Sequence, residues 1–180
     1  MEVYKRRGSL LGVISEKEMV LELELARAMG TAGLFLCLGL AAFGSAMGMM
    51  RAARAAIGVL SEEPRYFSLV SVLVFLPMTQ TLVYGFGFFI LANDILAKSE
   101  NLTIPLGVGV GSLAALFVGF AELSSAYAQG CVCADVIAML PKTRGAILVR
   151  GLILAAYLEF IGLLGLALGY MLLMISGLVS

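Results

Sequence analysis

Chemistry in this chain centres on one carboxylate embedded in carbon. Glu159 lies in GAILVRGLILAAYLEFIGLLGLALGYMLLMISG, residues 145–177, and beyond Arg150 no other Asp, Glu, Lys or Arg occurs before the C-terminus. An ionised acid near the middle of a membrane helix costs about 2.5–3.5 kcal/mol on insertion scales. A sequence keeps such a group when it has neutral partners, a counter-ion or a task, and the task suited to it is carrying a cation across a membrane. Other polar side chains reach the same level. At ~1.5 Å per residue, Gln80 lies about 22 Å beyond Arg65, Glu159 about 21 Å beyond Gly145, and Gln129 about 18 Å before Pro141. Three polar groups on three apolar stretches at one depth have the geometry of a single site.

The stretch LPMTQ, residues 76–80, adds to it. Pro77 has no N–H and displaces the preceding turn, which loosens backbone carbonyls near Leu73 and Leu76. Oxygens from the Leu76 carbonyl, Thr79, Gln80, Gln129 and Glu159 suit a hard cation, which takes oxygen ligands. That donor count favours Na⁺. A proton needs only the carboxylate and one acceptor, so H⁺ stays open. The plain alternative is that Gln80 and Gln129 hydrogen-bond across helices as packing glue. Two further residues are accessory candidates. Tyr84 follows Gln80 by one turn and can cap the site with its hydroxyl. Glu122 shares a helical face with Gln129, about 10 Å farther from the Pro141 end. It is either a second ion-handling group or a neutral acid hydrogen-bonded to a nearby Ser or Thr. Asp135, nearer that end, reads as structural.

The elements that must hold these groups are membrane helices. Of 180 residues, 61% are hydrophobic and 13% charged, against about 25% charged in soluble domains. Twelve cations balance twelve anions, which gives no reason to expect a nucleic-acid partner, and there is no His to act as general base or metal ligand. Cys37, Cys131 and Cys133 sit in apolar runs without the further ligands a metal site needs. Four apolar stretches run from about 31 to 60, 66 to 97, 105 to 140 and 145 to 177, each beyond the ~20 residues a crossing requires. The breaks SEEPR (61–65), KSENLTI (98–104) and PKTRG (141–145) are short, so neighbours run antiparallel. The expected fold is an all-α membrane protein of four transmembrane helices, arranged as two antiparallel hairpins at 29–97 and 105–180, joined by the extracytoplasmic loop 98–104.

Residues 1–28 form a distinct N-terminal tail. Lys5, Arg6 and Arg7 precede a short apolar run, and acids at Glu16, Glu18, Glu22 and Glu24 interleave with Val20, Leu21, Leu23 and Leu25. An amphipathic interfacial helix fits this better than a signal peptide, whose apolar run is longer and ends in a small-residue cleavage site. A start at Met19 or Met29 is the remaining option. Arg51, Arg54 and Arg65 flank the first turn, and Lys142, Arg144 and Arg150 the last. The positive-inside rule places turns 61–65 and 141–145 in the cytoplasm and both termini outside.

The hairpins look like repeats. Arg65 and Arg144 are 79 residues apart, as are Gln80 and Glu159, so the second helix of each hairpin carries a polar residue at one place. The amide of one copy is the acid of the other, and internal repeats are frequent in transport proteins. Gly44 and Gly48, with Gly107, Gly109, Gly111 and Gly119, let backbones approach and make the first and third helices the crowded, inner pair.

LPMTQTLVYGF (76–86), AYAQG (126–130) and AYLEFIGLLG (156–165) resemble the duplicated-hairpin K subunit, the c-type proteolipid, of V/A-type rotary ATPases, over about residues 29–178. The resemblance implies a membrane rotor ring of identical subunits in the cell membrane. Lipid, a membrane stator and a cytoplasmic central-stalk subunit would be its partners. It implies that Glu159 carries the ion, and that Leu76 (through its carbonyl), Thr79, Gln80, Gln129 and Glu159 bind Na⁺ as in sodium-type members. ATP chemistry would lie in other subunits; this chain has no GxxxxGK[ST] loop and is not expected to be an enzyme. Three features depart from the family pattern. The tyrosine usually comes three residues after the glutamine, where this chain has Val83, with Tyr84 one later. Glu122 stands where sodium-type relatives tend to have a small residue, and the N-terminal tail is long. Rival readings are a small proton-coupled secondary transporter using Glu159 and Glu122, and a structural membrane subunit.

Overall fold

The structure, a computed structural model, describes residues 2–179, with side chains from Glu16 onwards. Four helices account for nearly all of it: α1 (Glu2–Glu62), α2 (Pro64–Lys98), α3 (Ile104–Thr143) and α4 (Leu148–Ile175). No strand occurs among the described residues. All four are long and apolar enough to cross a bilayer. The shortest, at 28 residues, reaches about 42 Å against a hydrocarbon core of about 30 Å. The chain is thus an all-helical multi-pass membrane protein.

Contacts fix the directions. Between α1 and α2, Thr31 bonds Asn93 while Ser45 bonds Pro77, so position rises on one helix as it falls on the other. Ser125 with Leu158 and Gln129 with Ala155 show the same descent between α3 and α4. Each pair is an antiparallel hairpin. Between the hairpins, α1 and α3 run parallel: Gly33 lies on Gly111, Gly44 on Leu123 and Gly48 on Ala126 and Gly130. A Cβ placed on Gly44 would come within 2.5 Å of the Leu123 backbone. Only glycine permits that approach, and α1 and α3 form the most intimate pair, as their small-residue spacing implies.

The ends are held by short turns. Glu63 pairs with Arg65 at 2.5 Å in the first, and Asp94 with Lys98 at 2.7 Å before the middle loop. At the third, Arg144 (φ 52°) and Gly145 (φ 87°) are left-handed, and the Gly145 N–H returns to the Leu140 carbonyl at 3.0 Å. This glycine makes the reversal cheap. Arg65 and Arg144 line one shared pocket, so the first and third turns lie at the same end.

Two helices are irregular. In α2, a 3₁₀ turn at Leu76–Met78 follows the α-helical Phe67–Phe75, and a π turn at Gln80–Gly85 comes next. In α3, a π turn spans Ala114–Gly119. By contrast α1 is one unbroken helix through the tail and the first crossing, about 90 Å of it. Apolar packing gathers at both ends of the bundle. One cluster, including Leu34, Phe88, Leu96 and Leu173, lies toward the middle loop; the other, including Leu73, Ile137 and Leu140, lies toward the two short turns. Between them is a polar layer.

Candidate functional site

The buried polar side chains of the described residues are Ser45, Gln80, Glu122, Ser125 and Gln129, all in that middle layer. A buried polar group is costly unless hydrogen-bonded, so the bonds decide what each is for. Gln80 and Gln129 are wholly buried. Gln80 Nε2 donates to Gln129 Oε1 and to Ser125 Oγ, each at 3.1 Å. Gln129 Nε2 donates to the Ala155 carbonyl at 3.2 Å, and Ser125 Oγ to the Leu158 carbonyl at 2.8 Å. Three helices, α2, α3 and α4, are thereby tied at one level.

The other side of Gln80 is made of oxygen. Thr79 Oγ1 lies 3.0 Å from the Leu76 carbonyl and 3.1 Å from Gln80 Oε1. The hydroxyl has one proton for two acceptors, and the Leu76 carbonyl also takes the Thr79 backbone N–H, so three oxygens meet at this corner with two hydrogens among them. The 3₁₀ turn at Leu76–Met78 shapes it: Pro77 has no N–H to offer the Leu73 carbonyl, and the Thr79 N–H donates to the Leu76 carbonyl three residues back. The Pro77 carbonyl is taken by Ser45 Oγ at 2.6 Å, and Ser45 accepts from Thr81 at 2.7 Å.

Glu159 is half-buried on α4, next to Leu158. Its hydrogen-bond partner among the described residues is Tyr84, whose hydroxyl donates to Glu159 Oε1 at 3.2 Å. The π turn makes this contact possible. Tyr84 is four residues after Gln80 where the resemblance in sequence implies three, and a π turn accommodates one residue more than an α turn over the same stretch. The extra residue is absorbed, and the hydroxyl still arrives at Glu159.

The expected residues Leu76, Thr79, Gln80 and Gln129 are therefore brought into one network, and Glu159 adjoins it through Tyr84 and through its neighbour Leu158. No direct bond links Glu159 to either glutamine among the described residues. Glu122 stands apart. It is 0% exposed, and neither carboxylate oxygen has a hydrogen-bond partner. The alternative of an acid bonded to a nearby Ser or Thr is overturned: Ser125 spends its proton on Leu158, and Ser124 on Ala121. Asp135 forms no ion pair among the described residues and borders a pocket with Arg51 and Arg54. Cys37, Cys131 and Cys133 are free thiols, and no His, Cys, Asp or Glu cluster could hold a metal among the described residues.

Ser125, the hub of the network, was not among the sequence candidates. A signal was present: Ser45-Ala46 and Ser125-Ala126 stand 80 residues apart. Both serines do the same work, each donating to a backbone carbonyl across its own hairpin. Comparison with known proteins agrees with this repeat. The family of the ATP synthase C subunit matches the chain twice, over residues 32–92 and 113–172. No match to a curated protein was found.

Proposed function

The chain belongs to the ATP synthase C-subunit family, and from that premise we propose that it is the ion-carrying rotor subunit of a V/A-type rotary ATPase, a sodium-type duplicated proteolipid that assembles into a membrane ring. Glu159 is the carrier. Its cation is Na⁺, held by Glu159 with the Leu76 carbonyl, Thr79, Gln80 and Gln129. The observation that supports the choice of Na⁺ is the oxygen corner of Leu76, Thr79 and Gln80, where three oxygens converge and the Gln80 amide oxygen has only the Thr79 hydroxyl beside it. Hard cations take such oxygens, and the donors that fix Gln80 point away from that corner, to Ser125 and Gln129.

Mechanism follows from burial and charge. With its ion bound, Glu159 is neutralised and passes lipid cheaply; emptied, it is an anion that the hydrocarbon disfavours. A stator cation draws the emptied carboxylate, and two half-channels load and unload the ion. Each charge moved through the membrane potential is worth about 2.3 kcal/mol per 100 mV. ATP is made or used by other subunits. Turns 61–65 and 141–145 face the cytoplasm and the central stalk.

Proton coupling is the second reading. It is favoured by Tyr84, since one hydroxyl beside a carboxyl is all a proton requires. Carbodiimide labelling of Glu159 in the solubilised ring, across pH and with or without Na⁺, separates the two. Na⁺ coupling predicts slower labelling with Na⁺ at fixed pH. Labelling that responds to pH alone makes the ring proton-coupled, and a ring that does not label at Glu159 removes that residue from the role.

A further inference from the structure

Glu122 is the one buried acid of the middle layer, and the proposed site does not use it. Both its oxygens are inaccessible within the single chain. A neighbouring copy, a lipid headgroup or a stator residue therefore cannot supply the missing partner. Two glycines and an aromatic ring stand against it. Gly162 and Gly165 of α4 leave the room it occupies: a Cβ on Gly162 would sit 2.7 Å from Glu122 Oε2, and one on Gly165 3.5 Å from Oε1. The Tyr84 ring closes over the same point of Gly162. Among the described residues, the titratable groups close enough to interact electrostatically with Glu122 are Cys37 from α1, Tyr84 from α2 and Glu159 from α4, and no cation is among them.

A carboxylate so placed is neutralised by a cation or by a proton. A metal cation needs several oxygens, and no group among the described residues is hydrogen-bonded to either oxygen of Glu122 to begin such a shell. We infer that Glu122 is a second ion-holding carboxyl of this subunit, and that its ion is a proton. Gly162 follows Glu159 by three residues and shares its helical face, so the two acids lie on one side of α4, about one turn apart, with Tyr84 against both. Each protomer then holds a proton at Glu122 while Glu159 exchanges its own cation. The inference rests on the proposed function only in taking Glu159 as the site of the transported ion.

Infrared spectroscopy of membrane-embedded rings tests it through the carbonyl stretch of protonated carboxyl groups. With saturating Na⁺ at neutral pH, one such band per protomer is expected. It vanishes in Glu122→Gln and persists in Glu159→Gln. Because glutamine is a neutral stand-in for a protonated acid, Glu122→Gln should also leave the Na⁺ concentration that halves Glu159 labelling within about twofold of the native value. A band that survives Glu122→Gln, the absence of a band at neutral pH, or a tenfold or greater weakening of Na⁺ protection (about the effect of losing a neighbouring anion) overturns the assignment. Should Glu122→Gln fail to assemble, ¹³C-glutamate labelling of native rings decides instead, since the band must shift with the isotope. Failure of the sodium reading looks different: Na⁺ then leaves the Glu159 band unchanged while pH moves it, and the Glu122 band is unaffected.

Discussion

At the scale of single residues, the site is a division of labour between amide, hydroxyl and acid. Gln80 spends its N–H groups on Ser125 and Gln129 and keeps its oxygen beside Thr79. Tyr84 gives Glu159 its hydrogen bond. A hydrogen bond to a charged group is worth roughly 1.5–3 kcal/mol. Tyr84→Phe should therefore raise the Na⁺ concentration needed to protect Glu159 from carbodiimide by roughly ten- to a hundredfold while the ring still assembles; an unchanged protection curve would detach Tyr84 from the site. Much of this layer was legible in the sequence, because Gln80, Gln129 and Glu159 are polar exceptions in apolar runs at a common depth. Ser125 was not. A serine is too common in membrane helices to stand out, and only its bonds to Gln80 and Leu158 distinguish it from Ser124 one residue earlier.

At the scale of elements, the two hairpins have diverged in regularity more than in length. The second helices, α2 and α4, align at Gln80 and Glu159, yet α2 passes through 3₁₀ and π turns there while α4 is plain α-helix. Pro77 announces the 3₁₀ turn in the sequence; nothing announces the π turn except a tyrosine one place late, a misfit visible only against the family pattern. Removing Val83 should convert the π turn to an α turn and leave the flanking segments in register, so that ring assembly and Glu159 labelling survive. Removing Leu163 from the regular stretch of α4 should rotate everything after it by about 100° and pull Gly169 off Phe88 and Val118, and assembly should fail. Native gels and labelling of both deletion variants check this; equal outcomes would contradict the insertion account. The start of α1 was harder to read. Charge in residues 1–28 separates that stretch from the crossing in composition, but composition does not break a helix, and α1 continues through it.

At the scale of the whole molecule, large apolar side chains point outward along the bundle, among them Phe35, Phe43, Phe75, Phe160 and Leu164, each around 60% exposed. Lipid and neighbouring copies would cover them. The turns at 61–65 and 141–145 share one end, with Arg65 and Arg144 beside each other. Single cysteines at Glu63 and Thr143, in a chain stripped of its own thiols, should react with an impermeant reagent from the cytoplasmic face, and one at Glu100 from the other; the reverse pattern would invert the proposed orientation. Sequence periodicity conveys four crossings and their pairing, but the wedge between helices that would set how many copies close the proposed ring arises from packing. Whatever the size of the proposed ring, its ion stoichiometry would be limited by the amide at position 80. Gln80, the counterpart of Glu159, is neutral and wholly buried in its hydrogen bonds, and a proton resident on Glu122 would not travel. With Glu159 as the proposed carrier, each set of four helices would deliver one ion per turn of the rotor where two carrier acids would deliver two. On the proposed function this is a low gear: fewer ions move per nucleotide made or used, and each is balanced against a proportionally steeper gradient.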